Sequence, residues 1–214
     1  MSFYQFPSNF IYWYNVDKKE HTKIKEILLP KIELEESENK DNRFFTLGSG
    51  AITNHGRYSS YLFDDYITKT IVWNPLDEML KKYNKMDTYN IELNNSKITN
   101  TWYTTYRVGD FFERHDHKTY PFIPLGENEH YYPSFSFIYI LHDENEKSPL
   151  VFTDINDYKF SPTFQLNFDT GDVRDIKEGT VIIFPSHLSH AVKKNEKGKR
   201  ISLAYNIAST FKSS

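Results

Sequence analysis

The pattern of apolar and polar positions changes about a third of the way along the chain. After residue 88, short apolar runs recur at intervals of roughly 8–12 residues and are separated by Gly, Pro, Asn and Asp. These runs read KITNTWYTTYRV, FFERHDH, SFSFIYILH, SPLVFTD, FQLNFD, DVRDI, GTVIIFPS, HAVKK and RISLAYNIA. Such a series of short strands is typical of a β-sandwich or β-barrel.

The first third of the chain has a different pattern. FIYWYNV at 10–16 predicts a strand, and the charged segment 17–43 predicts a short helix that ends before Pro30, followed by a solvated loop. The segment 59–86 predicts mostly helix, with Asn74 as N-cap and Pro75 at the first helical position. We therefore predict one mainly β domain over 1–214, in which a helical and strand support region over 1–87 precedes a β core over 88–214.

Composition narrows the chemistry that this domain can perform. The 17% aromatic content favours strands, and the absence of cysteine excludes disulfides, thiolate ligands and cysteine nucleophiles. A net charge of -3 provides no basic surface for nucleic acid. The N-terminus lacks the signal-peptide pattern, and no apolar run reaches the roughly 20 residues of a membrane helix. We expect a soluble, cytoplasmic protein without a membrane partner.

Two histidines in FFERHDH are candidate metal ligands. If this segment is a strand, period-two alternation places His115 and His117 on one face and Asp116 on the other. A β-bulge would instead turn Asp116 toward a metal, and a polar strand end without metal is a further alternative. His190, at the end of FPSHLSH, is a third candidate ligand from a distant segment, whereas His187 is predicted to be a bystander in the preceding loop.

An isolated arginine begins the apolar run RISLAYNIA. Arg200 lies ten residues after His190, and a buried arginine needs an anionic partner because an unpaired buried charge is costly. Its planar fork suits a carboxylate. Ser202 follows two positions later, so a strand would place its hydroxyl on the same face. These two residues predict a binding site for an anion.

In this order, the motifs resemble the iron(II)- and 2-oxoglutarate-dependent dioxygenases, especially their prolyl-hydroxylase-like branch. YRVG (Tyr106 to Gly109), HDH, FPSHLSH and RIS are similar to the Tyr-x-x-Gly, His-x-Asp, distal His and Arg-x-Ser of that family, across residues 100–208. The resemblance implies a double-stranded β-helix, or jelly roll, with one Fe(II), 2-oxoglutarate as co-substrate and ascorbate as an accessory reductant. The implied activity is hydroxylation of a protein side chain or small molecule.

The resemblance also implies roles for individual residues. Arg200 and Ser202 would bind the far carboxylate of 2-oxoglutarate, Tyr106 would contact the co-substrate, and Ser136 is a weaker candidate for such a contact. Tyr106 is equally well explained as a core aromatic residue. Loops around the pocket would select the substrate, and none of them carries a motif that names it.

One position departs from the family pattern. His117 stands where the family has an aspartate, so the set is three neutral imidazoles and not two histidines with a carboxylate. Three interpretations remain: an iron enzyme with ligands His115, His117 and His190, an enzyme in which Asp116 is a ligand, or an inactive binding module. A cupin-like three-histidine metalloprotein that uses no 2-oxoglutarate is a further alternative, and Arg200 argues against it.

Overall fold

A computed structural model describes residues 2–6, 9–38, 50–55, 57–83, 96–117, 123–126, 129–145, 150–153 and 167–209. Within these ranges the chain forms two antiparallel β-sheets and a set of helices. The fold is therefore mainly β, as predicted. No helix among these residues is long and apolar enough to cross a membrane.

The larger sheet has eight strands and contains both ends of the described chain. Its strands are β1 (Ser2–Phe6), β2 (Asn9–Asn15), β3 (Ile52–Thr53), β4 (Ser96–Tyr106), β6 (Ile123–Gly126), β7 (Glu129–Asp143), β10 (Thr180–Pro185) and β12 (Arg200–Ser209). They are ordered β1-β2-β10-β7-β12-β4-β3, and β6 pairs with β7. The N-terminal hairpin thus extends the sheet, because β2 pairs with β10.

The smaller sheet has four strands and covers one face of the larger one. Its strands are β5 (Phe112–His115), β8 (Leu150–Thr153), β9 (Asn167–Asp169) and β11 (Ser189–Val192), in the order β5-β11-β8-β9. The predicted strand DVRDI, residues 172–176, is wrong: a 3₁₀ turn over Thr170–Asp172 ends at its first residue, and a further turn follows. The Asp169 side chain accepts a hydrogen bond from the Gly171 amide at 2.9 Å and so favours the turn.

Strand alternation divides the core into two clusters. On β7, Phe137 and Tyr139 face the helices, whereas Ile138 and Ile140 face the smaller sheet. The first cluster also contains buried residues of the helices, and the second contains residues such as Phe152 of the smaller sheet. The larger sheet is therefore the middle of three layers, and its inner strands are buried on both faces.

Helix α1 (Lys18–Glu38) continues through Pro30, so the prediction of a helix that ends before this residue is wrong. Proline removes a backbone hydrogen bond and crowds the preceding turn. Pro30 is exposed, whereas Leu28 and Ile32 on either side of it are fully buried against the sheet. Burial of this apolar face outweighs the local cost of proline on the solvent side.

The second helical region lies within the predicted segment 59–86. It comprises α2 (Asp65–Thr68), a π-helical segment (Lys69–Trp73) and α3 (Asn74–Tyr83), after a 3₁₀ turn over Ser60–Phe63. The prediction of Asn74 as N-cap is wrong, because its φ of -63° and ψ of -49° are helical. Asp64 is the cap, and its side chain accepts hydrogen bonds from the amides of Tyr66 and Ile67. The wide π turn ends at Trp73, two residues before Pro75, where an amide donor is missing.

A polar cluster centred on Glu178 joins α1 to the larger sheet. The Glu178 carboxylate accepts hydrogen bonds from Lys25 Nζ at 2.6 Å, the Asp143 amide at 2.8 Å and His21 Nε2 at 3.1 Å. Tyr139 donates to the other ring nitrogen of His21. Burial raises the pKa of Glu178, but the hydrogen bonds from Lys25, Asp143 and His21 outweigh it and lower this pKa to about 2.

This cluster predicts a pH-dependent contribution to stability. Because the pKa in the folded state lies below the unfolded value of roughly 4.3, the contribution is present above that value and is lost as the pH falls toward 2. Glu178→Gln should lower the free energy of unfolding at neutral pH by roughly 1.5–3 kcal/mol. Urea denaturation across acidic pH should show the difference from wild type shrinking below about pH 4.

Glu26→Gln is the matched control, because Glu26 is exposed on α1. This variant should follow the wild-type curve at every pH. A constant difference between wild type and Glu178→Gln from neutral pH down to about pH 2 would contradict the assigned role of Glu178.

Candidate active site

His115 and His190 face one another across the smaller sheet. His115 ends β5, His190 lies in β11, and the two residues are direct partners in the antiparallel pairing. Their ring centroids are 4.3 Å apart. Side chains at paired positions of antiparallel strands project to the same face, so this pairing places two imidazoles together.

His117 joins this pair by a different route from the one predicted. The strand ends at His115, so alternation along a continuous strand does not position His117. The His117 amide instead donates to the Ser186 carbonyl at 2.8 Å, in the segment that leads to β11. The His117 ring centroid lies 5.2 Å from that of His115 and 5.0 Å from that of His190.

The three histidines form a group suited to a metal ion. One nitrogen of each ring lies within 4.8 Å of the corresponding nitrogens of the others, and Asp116 does not belong to the group. In each ring Nδ1 is held by an oxygen: His115 by the Glu113 carbonyl at 2.8 Å and His190 by the Leu188 carbonyl at 3.1 Å. A carbonyl can only accept, so Nδ1 carries the proton and Nε2 keeps the lone pair that a metal requires.

The surroundings keep these imidazoles neutral. Burial lowers the pKa of His117 to about 4, with a further lowering by His115. Burial also lowers the pKa of His115, and it lowers that of His190 well below its ordinary value. Neutral imidazole is the form that binds metal, and it suits iron, nickel, copper and zinc. The donor set therefore fits a divalent transition metal.

Arg200 lies in the same cavity and is almost fully buried, with 1% of its surface exposed. Its Nε and Nη1 have no hydrogen-bond partner among the described residues. Its guanidinium carbon lies 4.7 Å from the ring centroid of Tyr106. Asp143 is its neighbour across the β7–β12 pairing, yet no carboxylate in the described part of the chain forms a salt bridge with it. The cavity thus contains a cation with unused donors.

One cavity connects the histidines to Arg200. Its lining comes from both sheets and comprises Trp102, Thr104, Tyr106, Phe112, His115, His117, Ile138, His190, Val192, Arg200, Ser202 and Ala204. Ser202 and Tyr106, predicted to contact a ligand together with Arg200, are on this wall. Thr104 and Ser202 are hydrogen-bonding neighbours of the Tyr106 hydroxyl. The cavity has a metal-binding end and a cationic, hydroxyl-rich end.

Ser136 has a different position from the other predicted residues. Its hydroxyl lies 2.7 Å from His117 Nδ1, and it is absent from the residues that line the cavity. It therefore contacts a candidate ligand and not the cavity itself. His187 is exposed and outside the histidine group.

Sequence reasoning missed several residues around the site. Asn206 hydrogen-bonds to His117 Nδ1. Trp102 packs against the rings of His117 and His55, at centroid distances of 5.6 and 4.8 Å. The alternation of side chains along each strand is the sequence signal that could have found Asn206 and Trp102. Asn206 shares the period-two face of Arg200, and Trp102 shares that of Tyr106.

No protein-family model and no curated protein matches this sequence. Solved structures do match. The chain is similar to a prolyl-4-hydroxylase from Pseudomonas putida, with 12% identity, a TM-score of 0.52 and coverage of 92% of this chain and 92% of that chain. It is similar to HygX from Streptomyces hygroscopicus with nickel and 2-oxoglutarate bound, with 11% identity, a TM-score of 0.54 and coverage of 95% and 83%.

A third similar structure is the epimerase SnoN in complex with Fe3+, alpha ketoglutarate and nogalamycin RO. The identity is 9% and the TM-score 0.59, with coverage of 92% of this chain and 78% of that chain. At such identities the likeness is one of fold. The shared fold extends over most of the chain, including the N-terminal third that has no recognisable motif.

The histidine group predicts which substitutions remove the metal. Replacing His115, His117 or His190 by Ala should each abolish stoichiometric binding of Fe(II) under anaerobic conditions, because two imidazoles alone hold the ion weakly. Asp116→Ala should leave binding nearly unchanged, because Asp116 is outside the group. Metal content after desalting measures both effects.

His187→Ala is the matched control, as it removes an exposed imidazole three residues from His190. It should bind metal like the wild type. Loss of metal in Asp116→Ala together with retention in His117→Ala would show that the carboxylate is the ligand.

Proposed function

We propose that this protein is a non-haem iron(II)- and 2-oxoglutarate-dependent oxygenase on a double-stranded β-helix. His115, His117 and His190 would hold the iron, and Arg200 would hold the far carboxylate of 2-oxoglutarate. The observation that carries the proposal is the buried Arg200, whose Nε and Nη1 lack partners in the described structure and which shares a cavity with the histidines. A cation in that state calls for an anionic ligand.

The charge balance of the cavity supports a dianion such as 2-oxoglutarate. The guanidinium stays protonated although burial lowers the pKa of Arg200. Three neutral imidazoles leave the charge of a divalent metal uncompensated at the other end of the cavity. A dicarboxylate places one negative end at each of these positive centres, and the paired charges offset the cost of burial.

Neighbouring side chains would hold the far carboxylate in place. The Arg200 fork offers two parallel donors, and the hydroxyls of Ser202 and Tyr106 lie on the same wall. Packing against the Tyr106 ring fixes the plane of the guanidinium. Residues Trp102, Phe112, Ile138 and Val192 line the rest of the cavity, and they would exclude water from the reacting groups.

When bound, iron would supply the activation of oxygen that oxidises a substrate C–H bond while 2-oxoglutarate is decarboxylated to succinate. Structures of similar fold support this chemistry, since SnoN was solved with Fe3+ and alpha ketoglutarate and HygX with nickel and 2-oxoglutarate. The proteins of similar fold differ in their reactions, since one is a prolyl-4-hydroxylase and another an epimerase. We propose hydroxylation of a protein side chain or small molecule as the reaction here.

The neutral donor set favours a second candidate function. A three-imidazole site without a carboxylate also suits zinc or copper, so a cupin-like metalloprotein that does not use 2-oxoglutarate is the alternative. An inactive binding module would retain the cavity without turnover. Binding of 2-oxoglutarate separates the first alternative from the proposal, and release of succinate separates the second.

Arg200 provides the sharpest test of the proposal. Arg200→Ala should retain the metal but bind 2-oxoglutarate at least about 30-fold more weakly, because removal of one partner from a buried charge pair costs roughly 2–5 kcal/mol. Calorimetry of the metal-loaded protein with 2-oxoglutarate measures the loss. Succinate release with Fe(II), ascorbate and 2-oxoglutarate should fall in parallel.

Two further variants control for charge and shape. Arg200→Lys keeps the charge without the planar fork and should fall between wild type and Arg200→Ala. Arg174→Ala removes an exposed arginine and should behave like wild type. Equal affinity of wild type and Arg200→Ala for 2-oxoglutarate would favour the cupin-like alternative.

His117→Asp tests the effect of the unusual third ligand. The substitution adds one negative charge and forms a two-histidine, one-carboxylate set, which stabilises the more oxidised metal. We expect it to retain iron and to raise succinate formation above that of wild type. His117→Asn, which has the same size without the charge, should not do so. A wild type faster than both variants would show that the three-histidine set is the better catalyst in this cavity.

A further inference from the structure

A buried polar network lies behind His117, on the side of Nδ1. Its Nδ1 lies 2.8 Å from Asn206 Oδ1 and 2.7 Å from Ser136 Oγ. The Ser136 hydroxyl is also 2.9 Å from Asn206 Oδ1 and 3.1 Å from Ser186 Oγ. Asn206 and Ser136 are 0% exposed, and Ser186 is 1% exposed. Because these side chains are buried, most of their polar atoms find hydrogen-bond partners only within the network.

Asn206 decides which nitrogen of His117 carries the proton. The serine hydroxyls can donate or accept, so they are compatible with either tautomer. Asn206 presents Oδ1, which only accepts, and this requires a proton on Nδ1. The lone pair is then on Nε2, the nitrogen available to a metal. If the amide nitrogen faced the ring instead, the proton would move to Nε2 and block the ligand position.

The observed orientation of Asn206 has a cost that packing does not explain. Its Nδ2 is buried without a hydrogen-bond partner among the described residues. Such an unpaired buried donor is destabilising, because it gives up its hydrogen bonds to water without replacement. The strand also changes register against β4 between Asn206 and Ile207, a β-bulge of the kind that re-aims a side chain. The unpaired Nδ2 and the bulge indicate that contact of Asn206 Oδ1 with His117 is favoured by something other than the stability of the fold.

At His117 the side-chain oxygen of Asn206 takes the place that backbone carbonyls take at the other two histidines. His115 and His190 donate to backbone oxygens, which substitution cannot remove. Partners of this kind orient metal-binding imidazoles, and losing one typically weakens metal affinity by about 10–100-fold. The three oxygens that contact the histidine Nδ1 atoms belong to two backbone carbonyls and one amide side chain. All three groups are neutral, so they add no negative charge to the metal site.

We infer that Asn206 is a positioning residue of the metal site, which holds His117 with Nε2 directed at the metal. The inference rests on the metal-binding half of the proposed function and is independent of the co-substrate. Ser136 supports Asn206 and has the smaller effect, because its hydroxyl is compatible with both tautomers.

Co(II) binding to the purified protein, without 2-oxoglutarate, tests this role. Titration followed by the visible absorption of Co(II) gives the dissociation constant and reports ligand geometry. Asn206→Leu should weaken binding by about 10–100-fold, whereas Ser136→Ala should weaken it less. Asn206→Asp should bind at least as tightly as wild type, because both of its oxygens accept and a carboxylate makes the ligand more basic.

Asn54→Leu is the matched control for loss of a buried amide. Asn54 is 1% exposed, donates to Ser59 Oγ and accepts from the Tyr103 amide, away from the histidine nitrogens. Thermal unfolding with and without Co(II) adds a readout that separates folding from binding. Asn206→Asp should lower the Tm of the metal-free protein and show a larger rise on adding Co(II) than wild type.

The outcomes separate the inference from the proposed function. If wild type binds Co(II), equal affinity in Asn206→Leu overturns the role of Asn206, and so does an equal loss in Asn54→Leu. If Asn206→Leu does not fold, a Co(II) affinity of Asn206→Asp well below wild type overturns it. Wild type that binds no Co(II) overturns the proposed metal centre and this role together. Wild type that binds Co(II) but not 2-oxoglutarate contradicts only the proposed oxygenase.

Discussion

The structure depends on the two-sided burial of β12, which lies between β7 and β4 in the middle of the larger sheet. Its odd positions, such as Leu203 and Ile207, are apolar and pack against the helix layer. The even positions before the bulge are Arg200, Ser202, Ala204 and Asn206, and they face the opposite way, toward the cavity or the ring of His117. A shift of one residue in pairing would exchange the two faces and bury Arg200 among aliphatic side chains. The core and the site therefore require the same register.

The two ends of the cavity balance charge in opposite ways. At one end, burial keeps the imidazoles neutral, which is the state that a metal needs. At the other end, burial cannot neutralise Arg200, whose guanidinium keeps its proton in any protein environment. Burial therefore prepares one end for a cation and leaves the other in need of an anion. A ligand with two negative ends meets both demands, which is the physical basis of the proposed co-substrate.

His117 also connects the two sheets. His115 and His190 belong to the smaller sheet, whereas Ser136 and Asn206, which hold His117, belong to β7 and β12 of the larger one. A metal bound by all three histidines would link the two sheets at the cavity that both of them line. The geometry of the ligands therefore depends on how the sheets pack as well as on the strands themselves. This dependence explains why support for His117 comes from residues far away in the sequence.

The sequence by itself determined the mainly β character, most of the strands after residue 96 and the types of residue at the site. These features follow from local alternation and from side-chain chemistry, which a single segment already contains. Alternation within RISLAYNIA also places Arg200 and Ser202 on one face. The same alternation places Asn206 on this face as well. The local pattern gave no reason to select it, because the role of this asparagine comes from its contact with His117, which is distant in the sequence.

Only the tertiary structure decided where helices continue and which groups meet. Helix α1 passes through Pro30 because its buried face is stabilised by the sheet, an interaction that local propensity omits. The pairing of His190 with His115 and the contact of Asn206 with His117 join segments 75 and 89 residues apart, by the difference of their residue numbers. Such contacts arise from register and from the packing of one sheet on another. These are collective properties of the folded chain, and no single segment encodes them.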